Sequence, residues 1–278
     1  MQSPTAASAA APRPQAPRGV ALVTGAARRL GREIALALAR DGWDIGVHYA
    51  TSGDAARETA NEIRQLGREA VCLNAHLENE KAASGLVRQL AEQLGPVNAL
   101  VNNASRFVHD DIGTLDAGSL TAHLLPNLVA PLLLSQALFR ALPADRSGVI
   151  VNLLDQKLDN LKPDFLSYTV AKAGLAAATT MLAQALAPRV RVVGIAPGLT
   201  FPSYLQDEVA FERAQARFSP LGRSSTPADV AAAVVFAMNN ASITGTVIQV
   251  DGGQHLHPLP RDASLMPAAA SNGTSTAG

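Results

Sequence analysis

Apolar runs of strand length alternate with amphipathic runs of helix length along most of the chain. The series begins with a strand over residues 19–24, a helix over 34–40 and a strand over 43–49. The same pattern predicts strands over 69–73, 99–102, 148–152, 190–196 and 247–250, and helices centred near residues 60, 87, 130, 178 and 233. Strands that alternate with helices pair in parallel. The sequence therefore predicts one α/β domain, a doubly wound parallel sheet of seven or eight strands with helices on both faces.

The two ends of the chain differ in composition from its centre. Both are rich in Ala, Ser, Pro, Gly and Thr, and offer few side chains that can pack. We therefore predict a disordered tail over residues 1–17, a folded domain over 18–258 and a flexible tail over 259–278. With 278 residues and 47% apolar content, the chain is long enough to bury one large core.

Charge and cysteine content narrow the class of protein. The 23 basic residues balance the 23 acidic ones, so no overall field favours nucleic acid or an anionic membrane as a partner. No run of 18 or more uncharged apolar residues predicts a membrane span, and the start of the chain lacks the leucine-rich segment of a secretory signal. The single cysteine, Cys72, lies in an apolar run that predicts a buried side chain. The sequence therefore predicts a soluble, cytoplasmic protein without disulfides within the chain.

The first predicted strand ends in Thr24-Gly25-Ala26-Ala27-Arg28-Arg29-Leu30-Gly31 and leads directly into a helix. A nucleotide-binding turn needs a residue that tolerates unusual dihedral angles at the bend, and small residues where the backbone approaches a pyrophosphate at the helix N-terminus. Gly25 and Gly31 meet these two requirements. An ordinary strand–helix turn explains a loop with so few glycines as well.

Tyr168 and Lys172 stand four residues apart on one face of a predicted helix. An unperturbed tyrosine has a pKa of about 10, so proton transfer near neutrality requires a nearby cation that favours the phenolate. Lys172 can supply that charge. A Tyr-x-x-x-Lys pair by itself is also typical of a surface pair or a packed aromatic.

Several separated motifs resemble, in order, those of the short-chain dehydrogenase/reductase family over nearly all of the predicted domain. They are the loop 24–31, Asn102-Asn103-Ala104, Asn127, Tyr168 with Lys172, Pro197-Gly198, Ile243-Thr244-Gly245 and Asp251-Gly252-Gly253. The resemblance implies a Rossmann-type fold, hydride transfer from a nicotinamide cofactor and a homotetramer. It implies catalytic roles for Tyr168 and Lys172, and implies that Asn127 holds a water linking Lys172 to solvent.

Within the family, the sequence resembles the pteridine reductases most, which include bacterial dihydromonapterin and dihydrofolate reductases. Arg29 replaces the middle glycine of the loop, as in pteridine reductases, where it contacts cofactor phosphate and substrate. Ser105 and Phe107 also match, and imply that Phe107 stacks on a flat heterocycle. Counting back 13 residues from Tyr168 reaches Asp155, where ordinary relatives have a serine.

The replacement of that serine by Asp155 has a chemical meaning. The serine donates a hydrogen bond to an oxygen that gains negative charge when hydride reaches a carbonyl, and an ionised Asp155 repels such an oxygen. A carboxylate suits an N–H edge, or a carbon–nitrogen double bond whose nitrogen is protonated. The resemblance therefore implies reduction of a pterin ring, with Tyr168 delivering the proton. Alternatively, Asp155 caps its loop or pairs with Lys157.

NADPH is the cofactor that the sequence favours over NADH. The second strand ends at residues 48–52 without the acid that NAD enzymes place against the ribose 2′-hydroxyl, while Arg28 and Arg29 offer positive charge for a 2′-phosphate. Two departures from pteridine reductases are Thr51 in place of an arginine and His76 in place of an aspartate that contacts adenine. The predicted cofactor-binding residues are Gly25, Arg28, Arg29, Leu30, Gly31, His48, Tyr49, Ser52, His76, Leu77, Asn103, Ala104, Ser105, Pro197 and Gly198. The predicted substrate contacts are Arg29, Ser105, Phe107, Asp155, Tyr168 and Leu199.

Other chemistry-bearing residues carry weaker signals. His109, Asp110 and Asp111 are interpreted as a solvated loop, and no metal site is predicted. Phe201 and Tyr204 fall where the family has a mobile substrate lid, so they either contact ligand or pack within the lid. Two alternatives to pterin reduction remain: an NADPH-dependent carbonyl reductase acting on ketones or quinones, and a catalytically silent NADP-sensing or scaffold protein.

Overall fold

The computed structural model describes residues 17–266, and these form a seven-stranded parallel sheet with the order β3-β2-β1-β4-β5-β6-β7. This confirms the predicted doubly wound, Rossmann-type α/β fold and selects seven strands over eight. The strands are β1 (Gly19–Val23), β2 (Trp43–Tyr49), β3 (Ala70–Asn74), β4 (Val97–Asn102), β5 (Gly148–Leu153), β6 (Val190–Pro197) and β7 (Val247–Val250).

Eight α-helices connect the strands within the described residues. They are α1 (Arg29–Arg40), α2 (Gly53–Gln65), α3 (Glu80–Leu94), α4 (Ala117–Leu124), α5 (Ala130–Ala141), α6 (Leu166–Leu186), α7 (Glu208–Phe218) and α8 (Pro227–Asn239). A single π-helical turn at Leu125–Val129 joins α4 to α5. Helix α1 begins at Arg29, five residues before the apolar run over 34–40 that predicted it. The difference arises because the first turn of α1 contains polar residues of the glycine-containing loop.

Apolar cores fill both faces of the sheet. One core packs α1, α2 and α8 against the strands, and the other packs α3, α5 and α6 against the opposite face. Central strands are therefore covered on both sides, as in β5, where every residue is buried. This double burial explains why the strands are continuous apolar runs rather than alternating ones.

Helix α7 was not predicted from the sequence. Its first turn is capped by Asp207, whose carboxylate accepts a hydrogen bond from Ala210 N at 2.7 Å. Its buried face consists of Phe211, Ala214 and Phe218, at a spacing of three and four residues. That cap and spacing are the sequence signal that could have revealed the helix, but charged residues between the apolar ones obscure it.

The predicted domain end at residue 258 is too early. Leu259 and Ala263 are buried, at 9% and 5% exposure, and pack against Phe218 of α7. Residues 259–266 are held by long-range contacts that no local pattern reveals, so their tail-like composition was misleading. The rest of the two predicted tails, residues 1–16 and 267–278, lies outside the described residues.

One helical run, Ala117–Ala141, is long and apolar enough to span a membrane by length and composition, and 44% of its most apolar window is buried. In the structure α4 and the π-turn lie against α6, and α5 lies against α3 and β4. These contacts give the apolar residues of this run a role in the core. The predicted absence of membrane and nucleic-acid partners stays a prediction.

The sheet topology positions the functional site. After β3 at one edge, the chain returns to place β4 beside β1. Neighbouring connections then leave the carboxyl ends of β1 and β4 in opposite directions, which opens a crevice at that point. Side chains that follow these strands are therefore brought to one rim of the sheet.

Candidate active site

A cleft of about 460 Å³ lies at the carboxyl ends of the strands. It is lined by most of the predicted cofactor-binding residues, namely Gly25, Arg28, Arg29, Leu30, Gly31, His48, Tyr49, Ser52, Leu77, Asn103, Ala104 and Ser105. The structure does not place His76, Pro197 or Gly198 among the lining residues; His76 is exposed beside Leu77. The lining also includes Ala27, Glu78, Arg106 and Pro126, which sequence reasoning missed because they follow no periodic pattern.

The glycine-containing loop has the close approach that a dinucleotide requires. Gly25 has a φ of +64°, and a Cβ on Gly31 would lie 2.1 Å from the Gly25 carbonyl oxygen. Arg29, where relatives have a glycine, also has a positive φ of +50°. The backbone thus keeps a glycine-like conformation at Arg29 although the side chain has changed.

The loop is tied to the segment that follows β4. Thr24 Oγ1 accepts hydrogen bonds from Asn103 N at 2.9 Å and from Ala104 N at 3.0 Å, and Asn103 Nδ2 donates to Thr24 O at 2.8 Å. Asn103 and Ala104 were predicted to contact the cofactor. In the structure they line the cleft and also fix the two loops that form its walls.

His48 on β2 holds the glycine-containing loop through a hydrogen bond to Gly25. Gly25 N donates to His48 Nδ1 at 3.0 Å, so the ring proton lies on Nε2, which donates to Ala75 O at 3.1 Å. The ring is 2% exposed, and burial lowers the pKa of His48 to about 4, against the smaller opposing effect of the Ala75 carbonyl. His48 is therefore neutral, and both of its ring nitrogens bind protein groups.

We expect His48 to make the protein less stable in acid. An unfolded histidine takes up a proton near pH 6.5, whereas folded His48 resists protonation until about pH 4. Stability from this site is therefore full above pH 6.5 and falls by about 2 kcal/mol by about pH 5. Chemical denaturation at several pH values should show this loss in the wild type and a flatter dependence in His48→Asn. The exposed His76→Asn should keep the wild-type dependence; equal slopes in all three proteins would contradict the assignment.

The residues present fit NADP(H). None of residues 50–52, which follow β2 and line the cleft with the exposed Arg28, is an acid. Arg29 lies across the cleft mouth, with its guanidinium carbon 4.6 Å from the Phe201 ring centroid and Nη2 donating to Pro202 O at 3.4 Å. Arg28 is thus exposed at the cleft, whereas Arg29 is already in contact with the segment predicted to be a lid.

Asp155, Tyr168 and Lys172 come together at the end of β5. The Tyr168 hydroxyl donates to Asp155 Oδ2 at 2.8 Å, and Lys172 Nζ donates to Leu153 O at 2.7 Å. Lys172 Nζ also lies 5.8 Å from the centroid of the Tyr168 ring. The spacing of four residues on α6 places the Tyr168 and Lys172 side chains on one face, as the sequence predicted, and Asp155 meets them from the preceding loop.

Burial dominates the proton affinities of this group. It raises the pKa of Tyr168 well above 10, and the Asp155 carboxylate adds to that rise. Burial also lowers the pKa of Lys172 to about 8, which Asp155 partly opposes. The sequence predicted that the Lys172 cation lowers the pKa of Tyr168 towards neutral pH. In the structure, burial and Asp155 raise that pKa instead. Tyr168 is instead held protonated, which suits a proton donor.

Asn127 lies in the π-turn between α4 and α5 and is fully buried. Its amide binds the backbone of Arg106 twice: Oδ1 accepts from Arg106 N at 2.8 Å and Nδ2 donates to Arg106 O at 2.9 Å. The side chain therefore fixes the segment that carries Ser105 and Phe107. The role of Asn127 in holding a water stays a prediction.

Phe107 belongs to an aromatic cluster beside Tyr168. Its ring stacks on Phe165 with centroids 4.2 Å apart and meets the Tyr168 ring edge-on at 4.8 Å. Only the face of Phe107 opposite Phe165 can therefore stack on a ligand, a restriction that the sequence did not predict. Leu199, a predicted substrate contact, has its side chain packed towards α7 and its backbone held by Gln254 and Gln215.

The interpretation of residues 109–111 as a solvated loop is wrong for Asp110. Asp110 is buried at 3% exposure, and its carboxylate accepts from Ser167 N at 3.0 Å and from the Ser167 hydroxyl. It thereby caps the start of α6 in place of Phe165, the preceding residue. The partner of the Asp110 carboxylate lies 57 residues away along the chain, so sequence spacing does not reveal this cap.

Within the described chain, no group of three or more His, Cys, Asp or Glu side chains is arranged for a metal.

Of the two alternative roles suggested for Asp155, the structure shows the cap of its loop and not the ion pair with Lys157. Asp155 Oδ1 accepts from Lys157 N at 2.9 Å and caps a short 3-10 turn, while its other oxygen binds Tyr168. The Lys157 ammonium does not pair with Asp155. It donates to Asp262 Oδ2 at 3.1 Å, because the segment predicted to be a tail folds back against this loop.

The fold and the cleft define a dinucleotide-binding oxidoreductase. The chain belongs to the short-chain dehydrogenase family, whose sequence profile matches residues 19–212.

Relatives that share 32 to 42% identity with this chain cover nearly the whole domain. The solved structure of FolM alternative dihydrofolate reductase 1 from Brucella canis, complexed with NADP, shares 42% identity over 86% of this chain and 94% of its own, with a TM-score of 0.83. A 3-oxoacyl-[acyl-carrier-protein] reductase from Synechocystis sp. is 32% identical and covers 84% of this chain and 96% of its own. The keto-reductase LugOII is also 32% identical, covers 86% of this chain and 98% of its own, and has a TM-score of 0.80.

Proposed function

We propose that this protein uses NADPH to reduce a pterin ring, as in a dihydropterin, dihydromonapterin or dihydrofolate. The hydrogen bond of 2.8 Å between the Tyr168 hydroxyl and Asp155 carries the proposal. It places a carboxylate where a carbonyl reductase requires a neutral donor for a developing oxyanion. A substrate with N–H groups or a basic ring nitrogen gains from that carboxylate, whereas a ketone oxygen is repelled by it.

Tyr168 is the proton donor in this proposal. Its phenol is protonated near neutrality, because burial and Asp155 both disfavour the phenolate. Bound NADPH supplies the hydride. Tyr168 then delivers a proton to the ring nitrogen next to the carbon that is reduced, while Asp155 holds the phenol and Lys172, fixed on the Leu153 carbonyl, adds positive charge nearby.

The mouth of the site suits a flat ring. Phe107 offers one free ring face, since Phe165 covers the other. Ser105 lies two residues earlier and is exposed at the cleft, which Arg29 and Phe201 also line in contact with each other. We assign these residues to substrate contact, and the exposed Arg28 with Ser52 to the cofactor 2′-phosphate. The similarity to the alternative dihydrofolate reductase from Brucella canis, solved with NADP, supports NADPH as the cofactor and a folate-like substrate.

Carbonyl reduction is the second candidate function. It is favoured by the 3-oxoacyl-[acyl-carrier-protein] reductases and the keto-reductase among the relatives. For this chain it requires that Asp155 be protonated or that another group stabilise the oxyanion. We further propose a cytoplasmic homotetramer. Sedimentation of the purified protein tests the oligomeric state, and fractionation of cells tests the location.

A substrate panel tests the proposed function. NADPH oxidation should be followed with dihydrobiopterin, dihydromonapterin and dihydrofolate, beside an acetoacetyl thioester, a simple ketone and a quinone. We expect turnover of at least one pterin or folate and weak turnover of carbonyls. Ketone turnover without pterin turnover would favour the carbonyl reductase. Tight NADPH binding without turnover of any substrate would favour a sensing or scaffold protein.

A further inference from the structure

We propose that Lys157 and Asp262 form a buried ion pair that tunes the proton affinity of the Tyr168 phenol, so that the C-terminal segment 259–266 sets the pH range of reduction. Lys157 and Asp262 are positioning residues, since they act through Tyr168. The inference rests on the proposed role of Tyr168 as the proton donor. It concerns a lysine other than the one that the family motif contains.

Lys157 lies against the aromatic cluster that surrounds Tyr168. Its ammonium is 4.9 Å from the centroid of the Phe165 ring and 5.7 Å from that of the Tyr168 ring, and its side chain is 2% exposed. Its backbone N is bound to Asp155, the carboxylate that accepts from the Tyr168 hydroxyl. The short turn therefore contacts Tyr168 twice: Asp155 binds its hydroxyl, and the Lys157 ammonium lies near its ring.

Asp262 supplies the counter-charge from a distant part of the chain. Its Oδ2 lies 3.1 Å from Lys157 Nζ, and its side chain is only 16% exposed. Its Oδ1 is fixed by Ser264, which donates from N at 3.0 Å and from Oγ at 2.8 Å. A buried ammonium without such a partner is costly, so Asp262 keeps the charge of Lys157 inside the protein.

A second ion pair fastens the same segment. Arg261 binds both carboxylate oxygens of the fully buried Asp164 at 2.8 and 2.9 Å, and Asp262 N donates to Asp164 at 2.7 Å. Asp164 immediately precedes Phe165, the residue stacked between Phe107 and Lys157. The segment is therefore clamped at the residue before the aromatic cluster, which fixes where Asp262 lies.

The charges around Tyr168 determine the expected direction. Asp155 and Lys172 face it from the loop after β5 and from α6, and Lys157, Lys162 and Asp262 face the same region from the 3-10 turn, the loop after it and the C-terminal segment. Lys157 favours the phenolate, whereas Asp262 disfavours it. Removing one member of the pair should therefore shift the phenol in the direction opposite to removing the other.

The decisive test is a pair of opposite shifts. In the pH profile of kcat, Lys172 titrates first, at about pH 8, so the Tyr168 step is the loss of activity at higher pH. With Asp262→Asn, the pH of that Tyr168 step should decrease by about one unit, because the negative charge that disfavours the phenolate is removed while the Lys157 ammonium stays. With Lys157→Met, that pH should increase by about one unit, and the double variant should lie near the wild type. Lys157→Arg retains the charge and should behave as the wild type.

A second readout does not depend on turnover. The chain has three tyrosines, so tyrosine labelled with ¹³C at Cζ gives three signals, and Tyr168→Phe identifies the one of interest. Titration of the NADP-bound protein should show the same opposite shifts of its midpoint. If no pterin is reduced, the proposed function fails while this titration still tests the ion pair.

Arg261→Gln is the matched control: it removes one bond of the clamp, while Asp262 N still binds Asp164 and Ser264 still holds the Asp262 carboxylate. It should lower thermal stability and leave the Tyr168 midpoint within about 0.3 units of the wild type, on the scale of a screened remote charge. Shifts in one common direction for Asp262→Asn and Lys157→Met, or unchanged midpoints in both, would overturn the proposal.

Discussion

Replacing Tyr168 with phenylalanine is expected to lower kcat for NADPH-dependent reduction by about 10²- to 10⁴-fold, the usual contribution of a positioned acid. The substitution removes only the hydroxyl that donates to Asp155, and the ring keeps its edge contact with Phe107. The folded structure and the cleft should therefore be retained. Steady-state kinetics with the preferred pterin, together with NADPH binding followed by fluorescence, measures both effects.

Tyr204, in the segment predicted to be a lid, provides a control for this experiment. The Tyr204 hydroxyl accepts from His109 N at 2.8 Å and belongs to the predicted lid, far from the Asp155 carboxylate in the chain. Tyr204→Phe makes the same chemical change and should alter kcat by less than about tenfold, the effect of one neutral hydrogen bond. If Tyr168→Phe retained a comparable rate, Tyr168 would not be the proton donor.

Replacing Asp155 with serine is expected to reduce pterin turnover by about 100-fold while carbonyl turnover is unchanged or higher. The serine hydroxyl can still accept from Lys157 N and so preserve the 3-10 turn that Asp155 caps. What is lost is the carboxylate that holds the phenol and that, in the proposed function, faces the nitrogen-rich ring. The ratio of kcat/KM for dihydropterins to that for ketones is the measured quantity.

The same variant carries a pH signature. Asp155 raises the pKa of Tyr168 after the larger effect of burial, so its removal should make kcat fall at a lower pH than in the wild type. Asp159→Ser is the matched control: Asp159 lies in the same turn, is exposed, and binds Gln249 on β7 rather than the phenol. Unchanged pterin reduction in Asp155→Ser would remove Asp155 from the proposed mechanism.

Local sequence patterns account for most of the fold. The predicted bounds of β2 and β7 match the observed strands, and the other strands differ by one or two residues at their ends. Buried strands and amphipathic helices can be read this way because their apolar spacing depends only on neighbours along the chain. The spacing of Tyr168 and Lys172 was informative for the same reason, since one helix turn brings them together.

Contacts between distant segments account for what was missed. His48, a predicted cofactor contact, lines the cleft, and the sequence did not show that its ring nitrogens hold Gly25 and Ala75. Asp110 was interpreted as solvated, but it caps α6. Both side chains have ordinary sequence neighbours, and their roles arise from segments that the parallel sheet brings to the same rim.

The sequence by itself determined the α/β class, the nucleotide-binding turn and the pairing of Tyr168 with Lys172, because each depends on residues a few positions apart. It also placed Asp155 13 residues before Tyr168, at the position of the serine of ordinary relatives. Only the tertiary structure decided that Asp155 binds the phenol and that Lys157 pairs with Asp262, 105 residues away. A buried charge selects its partner by proximity in the folded protein, and chain composition near residue 262 gives no indication of that proximity.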